Sequence, residues 1–201
     1  MCRGGIEVIA LSRTKPEYDC IHIETDLSKE ESISKACEMI KKKYNSFNAL
    51  VNCAGIISIQ KPNSISYEEL SNLMKVNTIA PIFLTSGLFD LIKENEADVM
   101  NVGSTVGKKA VIDQCAYATS KWGMRGTSLN FQLELKNTRC RVVQFNVGGM
   151  NTRMHTKYNG VPISDPEAWM NPKDIAEFML HILNLPKQME ITEIDINRKS
   201  L

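Results

Sequence analysis

Ala49-Leu50-Val51-Asn52-Cys53-Ala54-Gly55 is the stretch from which the fold is read. Three apolar residues make a short strand of the fully buried kind, and the strand closes at once in a turn of small residues. Helical periodicity follows over 66–75 and 77–94, an apolar strand over 97–103, and a long helical stretch over 114–137. Upstream, Val8-Ile9-Ala10-Leu11 and Ile21-His22-Ile23-Glu24 read as strands. Between them and the opening stretch, Ile33, Ala36, Cys37, Ile40 and Tyr44 form the apolar stripe of a surface helix. Downstream, Arg141-Val142-Val143-Gln144-Phe145 makes another strand. Ile175, Phe178, Met179, Ile182 and Leu183 mark a helix, and Ile191, Ile194 and Ile196 a last strand.

Short buried strands separated by helices predict right-handed crossovers and a parallel sheet covered on both faces. The expected class is α/β, a three-layer, doubly wound parallel sheet in one domain over 1–201. Residues 148–171 lack periodicity and carry Gly, Pro and Asn, so they read as a loop or lid.

The 201 residues suffice for a sizeable core. A net charge of +1, with both signs interspersed, argues against capture of nucleic acid or an anionic membrane. No apolar run has membrane-spanning length and no stretch reads as a signal peptide. Six scattered cysteines lack ligand spacing and read as buried free thiols, which suits a reducing cytoplasm. The three histidines are equally scattered, so no metal site is expected.

In sheets of this class, ligands bind beyond the carboxyl ends of the strands. Ser12-Arg13, Asp26, Asn52 to Gly55, Ser104, and Asn146 to Thr152 all fall there. On the helix after Ser104, Tyr117 and Lys121 stand one turn apart in Tyr117-Ala118-Thr119-Ser120-Lys121, so phenol and ammonium share a face. A nearby cation favours the phenolate, so the tyrosine pKa is expected to fall.

Asn52-Cys53-Ala54-Gly55, Asn77, Ser104 and the Tyr117/Lys121 pair, in that order, resemble the short-chain dehydrogenase/reductase family over essentially the whole chain. The resemblance implies a Rossmann-like fold and a reaction that interconverts a carbonyl and an alcohol by hydride transfer. It implies that Tyr117 exchanges a proton with the substrate oxygen and that Lys121 tunes the tyrosine and holds the nicotinamide ribose. Ser104 would hold the carbonyl oxygen, and Asn77 a proton-relay water. Asn52, Ala54 and Gly55 would let the backbone approach an adenine ring. Asp26, with Leu27 beside it, matches the family's adenine-contacting acid. Val147, Gly148, Met150 and Thr152 match its nicotinamide-side turn, with Val147 where the family has proline. Ser12 stands where an acid would select NAD, and Arg13 follows, so NADP(H) is favoured over NAD(H). The resemblance also implies a homodimer or homotetramer. Met150, Met154, His155, Tyr158, Val161, Pro162, Trp169 and Met170 would line the lid of a site for a small hydrophobic carbonyl compound or alcohol.

Each of these residues also has a structural reading: Ser104 as a strand-end cap, Asn77 or Asp26 as a helix N-cap, the Asn52–Gly55 run as a tight turn, and Arg13 as a solvated side chain. One departure weighs on function. The family opens with a strand, a glycine-rich turn and a helix that faces the cofactor pyrophosphate, and no such glycine set occurs here. Relative to that pattern the chain is expected to be N-terminally truncated by about 25 residues, one strand, turn and helix. The alternative to an enzyme is therefore a truncated, non-catalytic binding or scaffolding protein on the same fold.

Overall fold

The computed structural model describes residues 5–154, 163 and 165–199. The lid positions His155, Tyr158, Val161 and Pro162 lie outside the described residues.

The chain runs β1 (Ile9–Ser12), β2 (Ile21–Glu24), α1 (Glu30–Lys43), β3 (Ala49–Asn52), α2 (Tyr67–Met74), α3 (Ala80–Gly87), α4 (Phe89–Glu94), β4 (Asp98–Val102), α5 (Cys115–Leu135), β5 (Val142–Val147), α6 (Pro172–Leu183) and β6 (Glu193–Ile196). All pairings are parallel, as expected. The strands do not form one sheet, however. β1 and β2 pair with each other, while β3, β4, β5 and β6 form a second sheet in that order. The β1–β2 connection, residues 13–20, holds no helix.

β4 and β5 are buried along their whole length, because helices cover both faces of the larger sheet. On one side Ile33, Ala36 and Ile40 of α1, Ala80 and Leu84 of α3 and Leu135 of α5 pack with Ile23, Val99 and Val142. Ile9 and Leu11 of β1 and Leu50 of β3 join the same cluster, so one helical layer carries both sheets. On the other side Ile175 and Ile182 of α6 pack on Met100, Val102, Val143, Phe145 and Val147. Three layers result, but α6 covers only the β4–β6 part, and Val51 of β3 stays exposed.

The two helical stretches expected over 66–75 and 77–94 are one helical path with an internal irregularity. Ser66 caps α2 by accepting a bond from the Glu69 N–H. A π-helical turn over Lys75–Ile79 follows, in which the Ala80 N–H reaches back to the Lys75 carbonyl. Pro81 comes next and has no N–H with which to continue an α-helical ladder. Asn77 therefore lies inside a π-turn and does not open a helix.

Cys37 and Cys140 are buried, Cys20 is half-buried, and Cys53 and Cys115 are exposed, so the expectation of buried thiols holds for only part of the set.

Candidate active site

The end of β4 and the start of α5 bring the catalytic candidates together. Ser104, just beyond β4, has extended backbone, and its hydroxyl accepts a bond from the Val106 N–H. It thus caps a short 3₁₀ turn over Thr105–Gly107 as well as facing the site. The Tyr117 hydroxyl is hydrogen-bonded to Ser104. Ala116, Tyr117, Ser120 and Lys121 are all buried on α5.

Lys121 is fully enclosed. Its ammonium donates to the Val102 carbonyl at 3.1 Å and lies 5.9 Å from the centre of the Tyr117 ring. Burial pulls its pKa down to about 8, opposed by nearby Cys53. Desolvation, opposed by Lys121, pushes the Cys53 thiol up, although the residue as a whole is exposed. The Tyr117 phenol moves up as well, because loss of water outweighs the Ser104 hydrogen bond. This corrects the expected lowering: the lysine's proton is aimed at a backbone carbonyl, and dehydration dominates the phenol.

Asn77 holds the loop after β3. Its Oδ1 accepts from the Ile56 N–H at 2.8 Å, and its Nδ2 donates to the Ile56 carbonyl at 2.8 Å and the Ser120 hydroxyl at 2.9 Å. Both amide protons are committed, which fixes the side chain between the turn and α5. Gly55 completes the convergence: a Cβ there would meet Asn77 Oδ1 and Lys121 Nζ, each at 3.5 Å.

Around Tyr117 the walls are apolar. Leu73, Val106 and Ala116 cluster with it, joined by Ile56, Ile57, Ile65 and Leu70.

The other candidates line the same carboxyl edge. Asn52 donates to Asn101 Oδ1 at 2.8 Å, while its own Oδ1 is buried and has no partner among the described residues. The Ser12 hydroxyl donates to the Thr14 carbonyl, and Arg13 is exposed. Asp26 accepts from the Ser28 hydroxyl and N–H, bonds that hold its carboxyl below the usual range, with Lys29 and Arg13 adding to the effect. Its local role is thus a turn ahead of α1, and Arg13 is close enough to be felt. Leu27 is half-buried against the α1 cluster.

Past β5, the Gly148 N–H donates to the Ile196 carbonyl, and Met150 bridges Met170. Gly149 passes close to Trp169, where a Cβ would sit 2.6 Å from the ring. That contact supports the reading in which Trp169 packs beneath the loop. Thr152 follows, half-buried.

Sequence reasoning missed a polar chain beside this site. Asn101 donates to Ser128, Ser128 to Gln144, Gln144 to Asn146, and Asn146 to Glu193 and Asp195. Gln144 and Asn146 alternate with Val143, Phe145 and Val147 along β5, a signal that marks one face.

Comparison with known proteins bears on the family and the fold. The family profile described as short chain dehydrogenase matches residues 6–160. Carbonyl reductase family member 4 of Danio rerio is 25% identical over 202 aligned positions, covering 92% of this chain and 84% of that protein. An uncharacterized oxidoreductase of Staphylococcus aureus strain MRSA252 is 22% identical, covering 87% and 74%. Among solved structures, the closed form of serine dehydrogenase complexed with NADP+ superposes with a TM-score of 0.85 at 20% identity, covering 96% of this chain and 85% of that one. A 4-hydroxyisoleucine dehydrogenase complexed with NADH and succinate gives 0.80 at 20% identity, covering 96% and 87%. The chain belongs to the short-chain dehydrogenase/reductase family, whose members are NAD(P)-dependent oxidoreductases with a Rossmann-like fold. Within the described residues no helix is long and apolar enough to cross a membrane.

Proposed function

We propose that this chain is an NADP(H)-dependent oxidoreductase that interconverts a carbonyl and an alcohol, with Tyr117 as the acid/base. The observation that carries this reading is the enclosure of Tyr117, Ser104 and Lys121 in one apolar-walled site, with Asn77 and Gly55 closing it.

Tyr117 is held protonated by its dry surroundings, so it is armed to give a proton to an oxygen that becomes an alkoxide. Ser104 orients the phenol and stands ready to donate to the same oxygen. Lys121 places a positive charge one helical turn away and steadies negative charge as it develops. Asn77 positions the Ile56 carbonyl and Ser120, through which a relay water beside Lys121 would pass the proton outward. A cofactor bound here supplies or accepts the hydride.

The chain's residues fit the two ends of a dinucleotide. Arg13 and Ser12 suit a 2′-phosphate, Asp26 and Leu27 with Asn52, Ala54 and Gly55 suit the adenosine side, and the free Asn52 Oδ1 is open to a donor. Tyr117 and Lys121 suit the nicotinamide ribose, and Val147, Gly148, Met150 and Thr152 the carboxamide. The apolar walls favour a small hydrophobic carbonyl compound or alcohol. We place the reaction in the cytoplasm, in a homodimer or homotetramer. Trp122, Leu129 and Leu133 on α5 and Phe83 on α3 leave apolar surface for self-association.

One observation favours a second reading, a non-catalytic protein on the same fold. The pyrophosphate has no glycine-rich cradle among the described residues, and a gap separates β1 from β3. NADPH fluorescence titration, with turnover measured on apolar aldehydes and ketones, separates the two. Saturable binding with turnover is expected. Folded protein that ignores millimolar NADPH would sink the catalytic reading and leave the second.

A further inference from the structure

Glu193 and Asp195 stand two residues apart on β6, so their side chains share one face of the strand. Three elements converge on that face. Arg125 of α5 grips Glu193 with two donors, Nε at 2.7 Å and Nη2 at 3.1 Å. Lys108, from the loop after β4, lies 2.7 Å from Asp195 and 3.7 Å from Glu193. Asn146, fully buried on β5, donates to one oxygen of each acid at 2.8 Å.

The two cations come from the two segments that carry the candidate catalytic groups. Arg125 follows Lys121 by one helical turn on the helix that bears Tyr117. Lys108 directly follows the 3₁₀ turn that the Ser104 hydroxyl caps. Ser104 and Tyr117 thus belong to different segments, and one strand holds both.

We propose that Glu193 and Asp195 form a clamp that sets Ser104 against Tyr117, with Lys108 and Arg125 as positioning residues for the reaction. The proposal rests on the catalytic reading of Tyr117.

An isolated exposed ion pair is too loose to position anything. This one has a fixed base. Asn146 accepts from Gln144, and Gln144 accepts from Ser128 of α5, all of them fully buried. The acids therefore end a chain anchored in the core. The Arg125 bonds also hold the Glu193 carboxyl below its usual range, so it is charged at neutral pH.

The Ser104 segment has little slack. On its amino side the Gly103 N–H donates to the Phe145 carbonyl at 2.8 Å. On its carboxyl side one 3₁₀ turn separates it from Lys108. That turn leans on α5, because a Cβ at Gly107 would stand 3.0 Å from the Lys121 carbonyl oxygen. A shift at Lys108 therefore reaches Ser104 and changes its distance from the phenol. A misplacement of about 1 Å at a reacting group can cost about 10²-fold in rate.

The test compares Lys108→Met, Lys108→Arg, Asp195→Asn and Arg139→Met with the parent. Arg139→Met is the control, since it breaks a comparably exposed pair with Glu96 away from the site. Two readouts are taken at pH 7: steady-state kinetics with NADPH and an apolar aldehyde, and the NMR signal of ring-labelled Tyr117. That signal is identified by its loss in Tyr117→Phe. Lys108→Met and Asp195→Asn are expected to lower kcat by about tenfold, with the KM for NADPH within about twofold of the parent. Both should shift the Tyr117 signal, because its bond from Ser104 is disturbed. Lys108→Arg keeps the cation and should restore both readouts, and Arg139→Met should move neither. Parent-like kcat and an unmoved Tyr117 signal in Lys108→Met would overturn the proposal. So would equal losses in Lys108→Arg, or in Arg139→Met, which would reduce the effect to packing or general stability. A folded parent without turnover would sink the catalytic reading instead, and the Tyr117 signal would still decide whether the acids hold Ser104 in place.

Discussion

Tyr117 and Lys121 meet the same dry surroundings with opposite results. Burial disfavours the charged form of each, so the phenol moves up and the ammonium moves down to about 8. For Tyr117 this keeps a proton ready for donation. Tyr117→Phe should lower turnover by about 10²- to 10⁴-fold while leaving NADPH binding nearly unchanged, since only the hydroxyl is lost. Steady-state rates set against a fluorescence titration check this, and activity within tenfold of the parent would refute the acid/base role. Lys121 carries a stability consequence. Its folded pKa lies below its unfolded value, so between about pH 8 and 10.5 the unfolded chain binds more protons. Stability therefore rises with pH across that window, and below it the buried charge costs about 3 kcal/mol. The bond to the Val102 carbonyl offsets part of that cost. Lys121→Met should stabilise the fold by about 1–3 kcal/mol at pH 7 and lose the advantage above about pH 10. Paired denaturant melts of the variant and the parent at the two pH values measure this.

At the scale of elements, the strand ends decide the site. β4 leads into Gly103 and then Ser104, and Gly103 is packed under the polar chain of β5. A Cβ there would sit 2.1 Å from Gln144 Nε2 and 2.5 Å from Asn146 Oδ1, both fully buried side chains. Gly103→Ala must therefore push apart groups that bond each other, and is expected to destabilise by about 1–3 kcal/mol or more. Thermal unfolding reports the loss, and displacement of Ser104 should lower turnover beyond what the melting shift explains. A midpoint equal to the parent's would show that the strand end yields freely. The π-turn is a second device of this kind. It puts Asn77 between the Ile56 backbone and Ser120, tying a loop from β3 to the helix that carries Tyr117. Apolar periodicity was readable along the chain. The π-turn was not, because a single widened turn leaves the helical pattern on both sides intact.

Across the whole molecule, a buried ion pair ties together the amino-terminal ends of β4 and β5. The Arg141 guanidinium donates to Asp98 at 2.6 Å and to the carbonyls of Leu183, Leu185 and Met189, and Lys187 approaches the same carboxylate at 2.7 Å. β4, β5 and the segment after α6 are thereby held by one side chain. Asp98→Ala would strand a buried guanidinium and should cost about 3–5 kcal/mol. Urea denaturation measures it, and a loss below 1 kcal/mol would mean the guanidinium finds water.

Strand and helix order was legible because period-two and period-3.6 patterns are local, and β4, β5 and α6 fall where apolar runs put them. The candidate catalytic constellation was legible because its members have telling types at telling spacings. The partners of Arg141, the Asn101–Asn146 chain and the direction of the Tyr117 shift were not. The sequence by itself determined the family, the parallel α/β class and the residues that meet at the site. Only the tertiary structure decided that the strands form two sheets, that the lysine's proton faces a carbonyl, and that water's absence governs both titrating groups. Those outcomes depend on which distant residues share a dehydrated space, and spacing along a chain carries no record of that.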